Sequence, residues 1–155
     1  MSTSVGTEWW FYHLRRTTLE RAVGPLLEKC LARDWRVLAV SPDPGRRSRL
    51  DEALWTYGDN SFLPHGQADS VGLEPAHQPV LIAQGPDNLN GASVVLLMDG
   101  VAMPAETEFA RCMVLFDDGD EHARSVARAQ FSAAREAGLV AKYFQQTDQG
   151  WTQAA

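Results

Sequence analysis

The sequence has few of the residues on which disulfide-rich and metal-binding proteins depend. Its 155 residues include only two cysteines, Cys30 and Cys112, and their spacing matches no metal-binding motif. Two isolated cysteines make no disulfide framework, so we expect both to be reduced thiols in the core of a cytoplasmic protein.

Long apolar runs are also missing. No run approaches the roughly 18 apolar residues that a membrane-spanning helix requires. The first ten residues, MSTSVGTEWW, lack the basic and apolar regions of a secretory signal peptide. We therefore expect no contact with a membrane.

Positive charge is scarce, because 14 basic residues stand against 20 acidic ones and the formal net charge is −6. This balance argues against a general affinity for nucleic acid, whose phosphates would be repelled. Only Lys29 and Lys142 are lysines, and the other 12 basic residues are arginines. Since arginine pairs with carboxylates in a bidentate manner, the positions of the arginines matter more than their number.

Motifs of enzymes and cofactor sites are absent as well. Neither G-x-x-x-x-G-K-[ST] nor G-x-G-x-x-G occurs, and the nearest segment, SPDPGRRSR, has one glycine and no lysine. Its arginines could hold an anion at a helix N-terminus, but the missing glycine pattern favours a solvated first turn. There is no G-x-S-x-G elbow, and Asp59, Ser61 and His65 share one loop without an ordering scaffold. We expect no catalytic residues, no metal site and no cofactor.

Apolar strands alternate with amphipathic helices along the chain. Residues 8–14, EWWFYHL, are apolar on both strand faces, which is typical of a strand covered on two sides. The other predicted elements are strands over 35–40, 79–83, 93–98, 111–116 and 139–146; helices after a Thr17 or Thr18 cap, over 46–56 and over 119–137; and a helical turn or two over 104–109. This order predicts one α/β domain over 1–155, with a mostly parallel sheet between helix layers. Residues 58–79 are expected to form a long irregular loop, and 151–155 a tail.

The segment LDEALWTYGDNSFLPHG places large apolar side chains among residues that usually face water. Trp55, Phe62 and Leu63 are the side chains in question. One interpretation is that they fold back as a satellite core. The other is that they remain on the surface and are covered by another protein, since exposed apolar patches tend to mark interfaces.

A second candidate surface lies on the helix predicted over 119–137. Arg124, Arg128, Phe131 and Arg135 fall within roughly 60° of arc on a helix, and Val126, Ala133 and Ala137 fall on the opposite, packing side. We call the first four residues the arginine stripe. It is either an ordinary solvated face with one stray apolar residue, or a site for an acidic peptide whose apolar end contacts Phe131.

Several segments resemble the chi subunit of bacterial DNA polymerase III holoenzyme, a clamp-loader accessory protein. They are FYHL, WRVLAV, RLDEALWTYGDNSFLPH, NLNGASVVLLMDG, VLFD and REAG, and together they span nearly the whole chain. The resemblance implies a three-layer α/β/α fold that is similar to nucleotide-binding folds but lacks a phosphate loop. It also implies a non-catalytic role in DNA replication, with DNA contacted only indirectly.

The resemblance further implies two partners. It assigns the arginine stripe, Arg124, Arg128, Phe131 and Arg135, to the acidic C-terminal tail of single-stranded DNA-binding protein. It assigns Trp55 and Phe62, with the neighbouring Leu63, to the psi subunit of the clamp loader or to a helicase. Two positions depart from the family pattern, because Ser132 stands where a basic residue is common and Asp117 where an apolar one is usual.

The alternative from another class is a nucleotide-binding or nucleic-acid-processing enzyme of the same fold. Only the fold type favours it. A phosphate-binding loop after the first or second strand would distinguish it from an adaptor.

Overall fold

The computed structural model describes residues 6–57, 64–70 and 72–155. Within them, eight strands form one sheet: β1 Glu8–Leu14, β2 Val37–Val40, β3 His65–Gln67, β4 Val80–Ala83, β5 Val94–Leu97, β6 Arg111–Asp117, β7 Ala141–Thr147 and β8 Gly150–Gln153. Three α-helices accompany them: α1 Leu19–Ala32, α2 Pro44–Trp55 and α3 Glu121–Glu136. A short 3-10 helix covers Pro75–His77.

The strands lie in the order β3-β4-β2-β5-β6-β1-β7-β8. Every neighbouring pair is parallel except β7 with β8, which is antiparallel. The sheet separates two hydrophobic cores, one packed with α1 and α2 and the other with α3. The predicted α/β fold, with a mostly parallel sheet between helix layers, is therefore confirmed.

Strand β1 contributes to both cores, as its sequence predicts. Trp9 and Phe11 are fully buried on the α3 side. Tyr12 and Leu14 are buried on the α1 side. Burying each such side chain contributes roughly 1.5–3 kcal/mol, so this one strand stabilises both layers.

Two expectations about the connecting segments are wrong. The segment 58–79 is not wholly irregular, because its described part holds β3 and the 3-10 helix. The expected helical turns over 104–109 do not form, because threonine side chains bond the backbone there instead. The Thr107 hydroxyl accepts from Phe109 N at 3.0 Å, and the Thr7 hydroxyl donates to Phe109 O at 2.9 Å, an alternative that competes with helix formation.

The expected tail over 151–155 also differs, since most of it belongs to β8. Gly150 has a φ of 113°, which favours glycine, and it allows the chain to turn back and pair antiparallel with β7. The result is a hairpin at the edge of the sheet that carries Trp151.

The N-terminus of α2 carries arginines that pair with the protein's own carboxylates. Arg46 donates hydrogen bonds to Glu20 and to Asp99, and Arg49 donates to Glu20. The Ser41 hydroxyl donates to Asp99 at 2.6 Å. Because Arg46 and Arg49 already have these acceptors, the structure favours an internal network over an anion site at this helix end.

Both cysteines are free and buried, as predicted. Cys30 lies in the core under α1, whereas Cys112 lies in the core under α3. Burial raises the pKa of both thiols, that of Cys112 to about 12. In the part of the chain that the structure describes, no helix is long and apolar enough to cross a membrane.

The Arg46 network predicts a pH-dependent contribution from Glu20. Burial alone would raise the pKa of Glu20, but bonds from its own backbone N–H, Arg46 and Arg49 hold it below the usual value. A lowered pKa in the folded state stabilises the protein above the unfolded-state pKa, and this stabilisation is lost as pH falls through the folded-state pKa. We expect Glu20→Gln to lower the melting temperature at neutral pH and to approach wild type in acid.

The control is Glu52→Gln, because Glu52 is exposed on α2. Thermal unfolding at several pH values measures both variants. An equal loss for Glu20→Gln at neutral and acid pH would show that the bonds to Arg46 and Arg49 contribute no linked stability.

Candidate functional site

Helix α3 lies on the sheet face opposite α1 and α2. Asp120 begins it as N-cap, and its side chain accepts from Ala123 N at 3.0 Å. Glu121 adds a negative charge in the first turn, where the helix dipole favours one. At the other end Gly138 has a φ of 76°, as in the predicted glycine termination.

The packing face of α3 differs from the predicted one. The buried residues are Ala123, Ala127, Gln130 and Ala134, and not Val126, Ala133 and Ala137. The buried Gln130 was not expected there, but its side-chain oxygen accepts from Met103 N at 2.6 Å. At about 100° per residue, this packing face lies roughly a quarter turn from the arginine stripe. The stripe therefore borders the sheet instead of pointing away from it.

Phe131 is half-buried as a result of this placement. Its ring packs edge-on against Phe11 and Tyr143, with centroid distances of 5.5 and 6.0 Å. The Arg135 guanidinium lies over the same ring, 5.3 Å from its centroid. The Phe131 ring is thus held in place by the two aromatic rings and contacts the Arg135 guanidinium.

A cavity of about 110 Å³ lies between α3 and the sheet. It brings together two stripe arginines, Arg124 and Arg128, with Phe131. Arg135 is not part of the lining but lies over the Phe131 ring. The remaining described residues that line it are His13, Phe116 and Tyr143. Three of the four stripe residues therefore line a small aromatic cavity, and the fourth, Arg135, contacts it only through the Phe131 ring.

The sequence analysis missed the three lining residues that come from the sheet. In the observed register His13 pairs with Phe116, and Phe11 pairs with Tyr143. These residues come together because β6, β1 and β7 are adjacent, an order that the sequence alone did not predict. A partial signal was present for His13 and Phe116, which lie near the carboxyl ends of predicted strands, whereas Tyr143 lies in the middle of its strand.

The buried His13 is held by hydrogen bonds that involve both ring nitrogens. Nδ1 lies 2.8 Å from the Tyr143 hydroxyl, and Nε2 lies 2.7 Å from Asp118 Oδ1. The bond from His13 is the main reason that the pKa of Asp118 is lowered, with further contributions from Arg15 and Arg124. Burial raises the pKa of Tyr143, and the positive charges of Arg124 and Arg128 oppose this rise. The arginines therefore influence the groups at the base of the cavity.

Neither family departure lies in the wall of this cavity. Asp117 is exposed, and its carboxylate accepts from Gly119 N at 3.3 Å in the turn before α3. Ser132 is exposed on the helix. Asp118, which follows Asp117, contacts the wall of the cavity through its bond to His13.

Of the second predicted surface, the structure describes only Trp55, because Phe62 and Leu63 lie outside the described residues. Trp55 is the last residue of α2 and is 58% exposed, so its side chain is not part of a satellite core. Its ring packs edge-on against His65 at 4.9 Å. Asp59 and Ser61, the other residues of the triad-like set, also lie outside the described residues.

The arrangement on α3 is suited to binding an anion attached to an apolar group. Arginine guanidinium groups bind carboxylates through charged, directional hydrogen bonds. The aromatic walls offer contact to a non-polar side chain. The cavity is small, so it would take part of a side chain while the rest of the ligand lies along α3.

Comparison with known proteins agrees with the resemblance found in the sequence. The family model described as DNA polymerase III chi subunit, HolC, matches residues 7–142. A relative from Rickettsia prowazekii (strain Madrid E), named probable DNA polymerase III subunit chi, is 31% identical over 87 residues. That alignment covers 56% of this chain and 52% of the relative, so the matched part spans about half the length of that protein.

Proposed function

The chain belongs to the DNA polymerase III chi subunit family, an accessory subunit of the polymerase, and we propose that it is a non-catalytic adaptor within the replication machinery. In this proposal it links the clamp loader to single-stranded DNA-binding protein by binding that protein's acidic C-terminal tail. DNA is then contacted only indirectly, and the adaptor works in the cytoplasm.

The observation that carries the proposal is the aromatic cavity bordered by Arg124 and Arg128. An acidic peptide would lay its carboxylates along the stripe and insert an apolar side chain against Phe131. The protein has a net charge of −6, so a local group of arginines would attract such a peptide while the rest of the surface repels it. Arg135, which lies over the Phe131 ring, would extend the same contact along the helix.

The competing enzyme function has less support. The sequence lacks a phosphate loop, and Arg46 and Arg49 at the N-terminus of α2 are paired with Glu20, Asp43 and Asp99. Binding a nucleotide phosphate there would require breaking these pairs. We therefore favour the adaptor over a nucleotide-binding or nucleic-acid-processing enzyme.

Replacing Arg128 tests the tail site. We expect Arg128→Ala to weaken binding of a synthetic tail peptide by on the order of 2 kcal/mol, about thirty-fold, because one guanidinium–carboxylate pair is lost. Isothermal titration measures the affinity. The matched control is Arg21→Ala, since Arg21 is an exposed arginine on α1, which packs on the other sheet face.

Salt provides a second measurement with the same peptide. Raising ionic strength from about 50 to 300 mM shortens the Debye length from about 14 to 6 Å, so wild-type affinity should fall. Equal affinities for wild type and Arg128→Ala, or no response to salt, would make the stripe an ordinary solvated helix face.

Replacing Asp118 tests the tail site with the opposite change of charge, because it removes a negative group. Its carboxylate lies beside the cavity through its bond to His13 and would repel an acidic ligand. We expect Asp118→Asn to keep the hydrogen bond while tightening tail binding a few-fold, with the gain reduced at high salt. Weaker binding by Asp118→Asn would argue that the tail does not approach this side of α3.

We further propose that Trp55, with Phe62 and Leu63, contacts a second partner, the psi subunit where it is present or otherwise a helicase. The exposed ring at the end of α2 supports this proposal. Large aromatic side chains at interface centres commonly contribute 2 kcal/mol or more.

Trp55→Ala is therefore expected to lose the psi or helicase partner in a binding assay with the purified proteins. Its affinity for the tail peptide should stay at the wild-type value, because the stripe is on the other face of the sheet. If Trp55→Ala still bound both candidate partners with wild-type affinity, the proposed interface at Trp55 would be wrong.

A further inference from the structure

A second, larger cavity lies on the sheet face opposite the arginine stripe. It occupies about 540 Å³ beside α1, next to strands β1, β6, β7 and β8. Five aromatic side chains line it, namely Trp10, Tyr12, Trp35, Phe144 and Trp151. Its volume is within the range of ligand-binding pockets in proteins.

Arg111 is fixed in the wall of this cavity. Its guanidinium carbon lies 4.1 Å from the ring centroid of Trp10 and 4.9 Å from that of Trp35. The side chain is only 17% exposed, yet its guanidinium donates no hydrogen bond to any residue in the described ranges. Its nearest carboxylate is Glu8, with Oε1 at 4.0 Å, and Glu8 accepts a bond from Trp10 Nε1 instead.

A guanidinium held in this way is preorganised for an anion. Arginine has five N–H donors in a planar fork, and here two tryptophan rings fix that plane before any ligand arrives. Among the described residues, the acidic partner of this largely buried guanidinium is Glu8, at the long distance of 4.0 Å, so a carboxylate within hydrogen-bond distance would compensate its burial better. The charge of Arg111 already acts inside the cavity. Burial raises the pKa of Tyr12 to about 12, and Arg111 opposes that rise.

The described charged residues that line the cavity are all basic, and Glu8 lies outside the lining. Lys29, Arg33 and Arg111 line it, and none of the described lining residues is acidic. Arg33 lies 5.1 Å above Trp35, and Lys142 lies 4.9 Å above Trp10. In a protein of net charge −6, such a concentration of cations would attract a negatively charged ligand to this place.

We propose that this cavity binds a segment of a protein partner that carries an apolar side chain flanked by carboxylates. The apolar side chain would lie in the cavity and contact Trp10, Tyr12 and Phe144, which line it. One carboxylate would accept hydrogen bonds from Arg111, and others would lie near Lys29 and Arg33 at the rim. This proposal is independent of the tail site, because the arginine stripe lies on the other face of the sheet.

The ring contacts favour a peptide over single-stranded nucleic acid. Sequence-independent binding of single strands needs open aromatic faces on which bases stack. Here cations lie over Trp10 and Trp35, and Tyr12 stacks on Phe144 at 5.4 Å. The cavity is lined mainly by apolar groups, so the polar edges of a base would be left largely unpaired.

The test uses a synthetic, end-capped peptide in which one phenylalanine has two aspartates on each side. Nuclear magnetic resonance of the whole protein follows the indole N–H signals of Trp10, Trp35 and Trp151 during titration. We expect saturable shifts of these signals, and none with a control peptide that has asparagine in place of aspartate. Arg111→Gln should weaken this binding at least about tenfold.

Two further variants keep the result interpretable. Arg33→Gln changes an exposed side chain and should weaken binding a few-fold even if Arg111→Gln is poorly folded. Arg128→Gln alters the stripe and should leave the indole shifts unchanged. If only the proposed tail site is wrong, the peptide will not shift the α3 amide signals but will still shift the indole signals.

Three outcomes would overturn the proposal. The first is that the peptide shifts only α3 amide signals, and the second is that the asparagine control binds equally well. The third is that an oligonucleotide of eight thymidines shifts the same indole signals more strongly than the peptide, which would identify a nucleic-acid site.

Discussion

The pairing of β1 with β6 and β7 is the constraint on which the rest of the structure depends. Because β1 is apolar on both faces, it must be covered twice, and the two helix layers provide this cover. The same pairing places His13 beside Phe116 and aligns Phe11 with Tyr143. The cavity next to the arginine stripe is therefore a product of strand order as much as of the helix that carries the arginines.

The number of helices explains why parts of both sheet faces remain accessible. In the residues that the structure describes, three α-helices cover an eight-stranded sheet, with α1 and α2 on one face and α3 on the other. Their side chains cannot cover every strand, so aromatic residues near β7 and β8 stay partly accessible beside arginines. A wide sheet with few helices provides separate surfaces whose ligands would not compete for space.

Local patterns were sufficient to predict most of the fold, whereas the site needed information from distant parts of the chain. The bounds of β1 follow from neighbouring residues and agree with the structure. The helix cap predicted at Thr17 or Thr18 is Thr18. The stripe on α3 could be predicted from helical periodicity. Its packing face could not, since alanines occur on several sides of the helix and the buried Gln130 depends on Met103 N. Tyr143 joins His13 only through the sheet order, which no short pattern contains.

The long separation between β1 and its partners has a consequence for synthesis on the ribosome. Glu8 pairs with Arg111 and Trp9 with Ala141, so about a hundred residues must follow β1 before its first partner exists. At a translation rate of 5–20 residues per second, that delay is on the order of 5–20 s. During this time a strand with two apolar faces has no native partner. Nascent chains of this protein should therefore be substrates for chaperones that recognise exposed apolar segments.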